Sequence, residues 1–109
     1  MENNKKGGVD RPDASILMRP LKPLFALGCT CITAGAQKVL SPADVAKALA
    51  RHVEGDWGDV DDFDREENCR ALMEGSRLLS AYPSSKGIRF WIITEWDRSV
   101  TTVLLPEEY

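Results

Sequence analysis

Two runs of β-branched and aromatic residues, 88–95 and 99–105, are separated by only Trp96-Asp97-Arg98. Both alternate with a period of two. In the first, Phe90, Ile92 and Thr94 fall on one side, and Trp91, Ile93 and Glu95 on the other. In the second, Val100, Thr102 and Leu104 oppose Thr101, Val103 and Leu105. Such runs are strands, and so short a connection joins them as an antiparallel hairpin. A lone hairpin is at best marginally stable in water. The remainder of the 109 residues must therefore cover it.

The cover is helical. Ser41-Pro42-Ala43-Asp44 is a strong start signal, with a capping serine, a proline suited to the first helical position and an acid at the positive end of the dipole. This helix runs to about residue 53. Val45, Leu49 and Val53 lie along one face, His52 flanks that stripe, and Gly55 suits the position just past the end. Thr33 caps a shorter helix over 34–40. Asp61 or Asp62 caps a third, expected over 63–81, with Asn68, Leu72, Gly75, Leu79 and Tyr82 near one stripe. Gly75 inside that helix costs about 1 kcal/mol relative to alanine, which close approach of another backbone would offset. Residues 24–32 read as a strand apolar on both faces, as expected where both are covered.

The expected fold class is α+β in the order β-α-α-α-β-β, a three-stranded, mainly antiparallel sheet with helices packed on one face. It forms one domain over 23–109, after a polar, proline-punctuated tail over 1–22 in which Ser15-Ile16-Leu17-Met18 is the apolar exception.

A net charge of −3 gives no general reason to expect a nucleic-acid binder, and that question stays open. No apolar run approaches a membrane span, and no secretion signal opens the chain. Three cysteines do not make a disulfide framework, so a cytoplasmic setting is expected. Cys29, Cys31, Cys69 and His52 do not have zinc-ligand spacing, and the acidic run has no EF-hand frame. No metal and no cofactor are expected, a protein partner is, and the oligomeric state is not legible.

Candidate functional residues fall in three places. His52, the one histidine, is either a general acid–base group or a helix-end residue bonding terminal carbonyls. Beside it, Asp56 and Trp57 form a glycine-flanked corner, with Trp57 either covering the core edge or offering a stacking wall. Asn68 is polar on an apolar stripe that ends at Tyr82, and the backbone of the 55–58 turn is its expected partner. The hairpin gathers Glu95, Asp97, Arg98, Thr101 and Thr102. Arg98 is suited to clamping a phosphate or carboxylate, or else pairs with Asp97 at the surface while threonines pair across the strands.

The pattern Arg51-His52-Val53-x-Gly55-Asp56-Trp57-Gly58, then Asn68, then Ser80-Ala81-Tyr82 leads into Trp91-Ile92-Ile93-Thr94-Glu95-x-Asp97-Arg98-Ser99-x-Thr101-Thr102-x-Leu104-Leu105-Pro106-Glu107-Glu108-Tyr109. From about residue 24 to the C-terminus it resembles a family of small bacterial proteins labelled plasmid-related and associated with mobile elements. The resemblance implies a cytoplasmic bacterial setting and supplies no biochemical activity.

Two functions are compatible with these residues. One is a non-enzymatic interaction or regulatory protein, an anti-defence factor being one form of it. It is motivated by residues 54–67, which hold eight acids against one arginine, a local charge of −7. The alternative is a small metal-independent ribonuclease, similar in layout to the barnase–RelE group. His52 would serve as acid or base, Glu95 as its partner acid, and Arg98 and Thr101 would hold the phosphate.

Overall fold

A computed structural model describes residues 21–109. The expected tail over 1–22, including Ser15–Met18, thus falls almost wholly outside the described residues. The elements are β1 (Cys29–Ile32), α1 (Ala34–Val39), α2 (Pro42–Val53), α3 (Asp62–Glu74), β2 (Leu78–Pro83), β3 (Arg89–Thr94) and β4 (Val100–Leu104), followed by a 3-10 turn at Pro106–Glu108.

The helix starts follow the capping residues. Thr33, Ser41 and Asp61 each accept a hydrogen bond from a backbone amide of the first turn. Helix α2 ends as the glycine signal requires. Gly55 takes φ 83, its N–H reaches the His52 carbonyl, and the Asp56 N–H reaches that of Arg51. These two bonds are the pair that closes a Schellman motif.

The sheet corrects the sequence expectation. It has four strands, not three, in the order β1-β4-β3-β2, and it is mixed, so the element order is β-α-α-α-β-β-β. The extra strand comes from the helix expected over 63–81. That helix stops at Glu74, because Gly75 adopts φ 76 and gives its N–H to the Ala71 carbonyl. Gly75 is therefore a left-handed helix cap and not a tolerated interior glycine. The chain restarts three residues later as β2, antiparallel to β3 with Ser80 opposite Ile92. β3 and β4 form the expected hairpin, with Thr94 opposite Thr101.

A second correction concerns β1. It runs parallel to β4, with Cys29 beside Val100 and Ile32 beside Val103, which makes the sheet mixed. Only Cys29–Ile32 of the strand expected over 24–32 pairs. Gly28 at φ 66 brings the chain against the Ser99 backbone just before the pairing starts. All four residues of β1 are exposed, so the strand is not covered on both sides.

The main core lies between one sheet face and helices α1 and α2. It joins Ala36, Leu40 and Ala48 to Tyr82, Phe90, Ile92 and Val103. Helix α3 packs against β2, where Ala71 and Leu78 form a second cluster with Trp57, Val60 and Ala81. The helices therefore do not form the single layer on one face that the sequence suggested.

Candidate functional site

His52 leaves the last turn of α2 pointing into the protein and is completely buried. Its ring is enclosed by Phe25 at 5.2 Å and Trp57 at 5.7 Å, both edge-on, and Phe25 stacks on Trp57 at 6.2 Å. Both ring nitrogens meet buried hydroxyls. Nδ1 lies 2.6 Å from Ser80 Oγ on β2, and Nε2 lies 2.9 Å from Thr94 Oγ1 on β3. Thr94 Oγ1 lies 2.7 Å from Thr101 Oγ1 on β4, which donates to the Leu27 carbonyl at 2.6 Å.

The direction of donation along the threonines is fixed from its far end. A carbonyl only accepts, so the Thr101 hydroxyl hydrogen is committed to Leu27. Thr101 must then accept from Thr94, and Thr94 from His52 Nε2–H. In a neutral ring Nδ1 is then left as the acceptor for the Ser80 hydroxyl. Burial disfavours the imidazolium, so the ring is neutral with its hydrogen on Nε2. Burial, with a smaller effect from the Arg98 charge, pulls its pKa down to about 3. The ring bonds hydroxyls, not the helix-end carbonyls that a surface position would have offered.

The corner after α2 is tied on every side. Asp56 holds Arg51 through two contacts of 2.7 and 3.1 Å and accepts from the Gly58 N–H. That arginine keeps the Asp56 carboxyl below its usual range. The Tyr82 hydroxyl donates to the Asp56 carbonyl at 2.6 Å, and the Arg51 guanidinium lies 4.7 Å above the Tyr82 ring. Trp57 is buried, so it does not form an open stacking wall.

These residues also close one edge of the sheet. The outward groups of β2 belong to Leu79, Ala81 and Pro83. Asn68 binds both groups of Leu79, receiving its N–H at 3.1 Å and donating to its carbonyl at 2.7 Å. Ala81 N–H reaches the Trp57 carbonyl, and Asp59 N–H reaches the Ala81 carbonyl. Pro83 has no N–H to offer. The partner of Asn68 is thus β2 and not the 55–58 turn. Asn68→Ala should strip both Leu79 groups of their partner and cost about 1–3 kcal/mol. Urea unfolding measures the loss. The Leu79 amide should also exchange faster than its neighbours, and unchanged exchange there would contradict the assignment.

At the hairpin, Arg98 adopts φ 61 and turns its guanidinium onto carbonyls. It donates to Ala71 at 3.0 Å and Ser76 at 2.5 Å, at the C-terminus of α3, and to Glu95 at 3.1 Å and Trp96 at 3.3 Å. A cation there complements the helix dipole. Asp97 does not pair with it. Asp97 accepts from the Ser99 amide and hydroxyl, which hold its carboxyl below the usual range. Glu95 is half-buried beside this turn. Thr102 falls on the sheet face opposite Thr101.

His52 and the hairpin are therefore joined, through Thr94 and Thr101, but in the interior and not in a cleft. The sequence reading missed Ser80 and Thr94 as the histidine's partners. Their position on the inward side of alternating strands was the available signal, and for Ser80 it was hidden inside a supposed helix. Among the described residues, no group of three or more His, Cys, Asp or Glu is placed to hold a metal ion. None of their helices is long and apolar enough to cross a membrane. The chain matches no known protein family, no curated protein and no solved structure.

Proposed function

We propose that this is a non-enzymatic interaction protein that engages a basic partner through the outward face of α3. The observation that carries this reading is the composition of that face. Phe63 and Met73 are 68% and 89% exposed. Around them stand Asp62, Glu66, Glu67 and Glu74, all exposed, with Arg70 paired to Glu67. Exposed apolar side chains rimmed by polar ones mark interaction sites where they act together as a patch. The charges would steer a basic partner, and the apolar groups would hold it. The resemblance to plasmid-related proteins supports a cytoplasmic bacterial setting for this contact. A regulatory or anti-defence role on behalf of a mobile element would use the same acidic face.

The ribonuclease alternative gains no support from the geometry. It needs His52 to reach a phosphate, yet both ring nitrogens are engaged inside the core. It also needs Arg98, whose guanidinium already serves four carbonyls.

The test compares the wild type with a variant carrying Asp62→Asn, Glu66→Gln, Glu67→Gln and Glu74→Gln, with Phe63→Ser made separately. Affinity capture from a bacterial lysate should recover a partner with the wild type. Recovery should fall at least tenfold with either variant and weaken as salt rises. Circular dichroism should show both variants folded. Equal recovery by all three proteins would remove α3 from the function.

A further inference from the structure

We propose that the protein forms a two-fold symmetric dimer by pairing β1 with β1 of a second copy, antiparallel and centred on Cys31. The two edges of the sheet are treated in opposite ways. The β2 edge is sealed by Asn68, by the 57–59 backbone and by Pro83. The β1 edge, Cys29-Thr30-Cys31-Ile32, has no charge, no proline and no described segment beside it. Natural proteins usually protect such an edge, because its unpaired backbone groups are a template for another strand.

The register follows from the backbone. Cys29 and Thr33 give their N–H groups to β4, to the carbonyls of Ser99 and Val103. Backbone groups alternate sides along a strand, so those of Thr30 and Ile32 face outward. Pairing Thr30 with Ile32 of the second copy, and the reverse, satisfies all of them with a two-fold axis at Cys31. The two Cys31 residues then face each other at a non-hydrogen-bonded position, where Cα atoms lie about 4.5 Å apart. That separation lies within the disulfide range.

Charge does not oppose a second copy at this edge. An isologous contact repeats every charge on both sides, and β1 has none to repeat. The acids cluster on α3, which packs beside β2 at the far edge. In an eight-stranded sheet the two β2 strands stand seven spacings apart, about 34 Å. The screening length is only about 8 Å at physiological salt, so the acidic helices do not oppose this association. A second copy also meets an apolar groove of about 530 Å³ beside β1, lined by Ile32, Leu40, Val45, Leu49 and Val103. Ile32 of the partner reaches the mouth of this groove opposite Thr30.

Sedimentation equilibrium of the full chain under reducing conditions should give twice the 12.1 kDa chain mass. Ile32→Lys, placing a charge on the edge, should give a monomer with an unchanged circular dichroism spectrum. In case that variant misfolds, a second readout uses cross-linking in a Cys69→Ser background. Diamide, which takes up the two thiol hydrogens as the S–S bond forms, should convert the parent and Cys29→Ser to covalent dimers. It should leave Cys31→Ser at the monomer mass. A 12.1 kDa species at every concentration tested would overturn the proposal, leaving the edge to another occupant. So would a cross-link that requires Cys29 and not Cys31.

Discussion

Gly58→Ala is expected to destabilise the fold by about 2–5 kcal/mol, whereas Gly75→Ala costs about 1 kcal/mol. The two glycines share nearly the same backbone, φ 73 and φ 76, so the left-handed conformation penalises both alike. Their surroundings differ. A methyl group on Gly58 would overlap the Ala81 carbonyl oxygen and press on the Tyr82 ring, while one on Gly75 meets nothing within 4 Å. The carbonyl belongs to the strand that Trp57 and Asp59 bond, so it cannot retreat without breaking the sealed edge. Urea titrations of both variants would measure the difference. Equal losses would mean that the corner yields freely and that the contact at Ala81 is not needed for stability.

Replacing His52 with glutamine should cost about 3–5 kcal/mol at pH 7.5, since it leaves a poorly filled space and breaks the ordered run of hydroxyls. The pH profile carries the more specific signature. The folded-state pKa is depressed from 6.5 to about 3, so between these values the unfolded chain binds a proton that the folded chain refuses. Stability is therefore full above pH 6.5 and declines as pH falls, by up to about 1.4 kcal/mol per unit, levelling off below about pH 3. Asp44, Asp56, Asp97 and Glu108, whose pKa values are lowered by their hydrogen bonds, add to the loss in the carboxylate range. Between pH 6.5 and 5 the single histidine dominates. Urea midpoints over that window should slope in the wild type and be flat in the glutamine variant. Matching slopes would contradict a buried neutral imidazole.

Local chemistry was legible and long-range pairing was not. Ser41-Pro42 with Gly55 marked α2 at both ends, since capping is decided by neighbouring residues. The hairpin was equally readable from alternation across a three-residue turn. Residues 78–83 were not, because Leu72, Leu79 and Tyr82 also suit a helical stripe. Only the left-handed cap at Gly75 separates the two readings. The parallel seating of β1 on β4 depends on how three intervening helices return the chain, and no residue spacing records that. The candidate site suffered in the same way. His52 was singled out, but its partners, Ser80 and Thr94, come from two strands, one of which had been read as helix. Asn68 was recognised as a polar residue needing partners, yet those partners lay on the strand that had been read as helix.

The β1–β4 pairing also has a consequence for the order in which the molecule assembles. β2, β3 and β4 follow one another within residues 78–104, and short loops close quickly. β1 must find a partner that begins at Val100, with nearly all the remaining structure between them, and closing so long a loop carries the larger entropy loss. Loop closure entropy alone therefore favours forming the meander with α3 before β1 is seated. Leu27, the final acceptor for Thr101, arrives with β1. Until that strand is seated, the hydroxyls of Thr101 and Thr94 have no fixed direction in which to donate. Seating β1 is then also the step that sets the tautomer of His52.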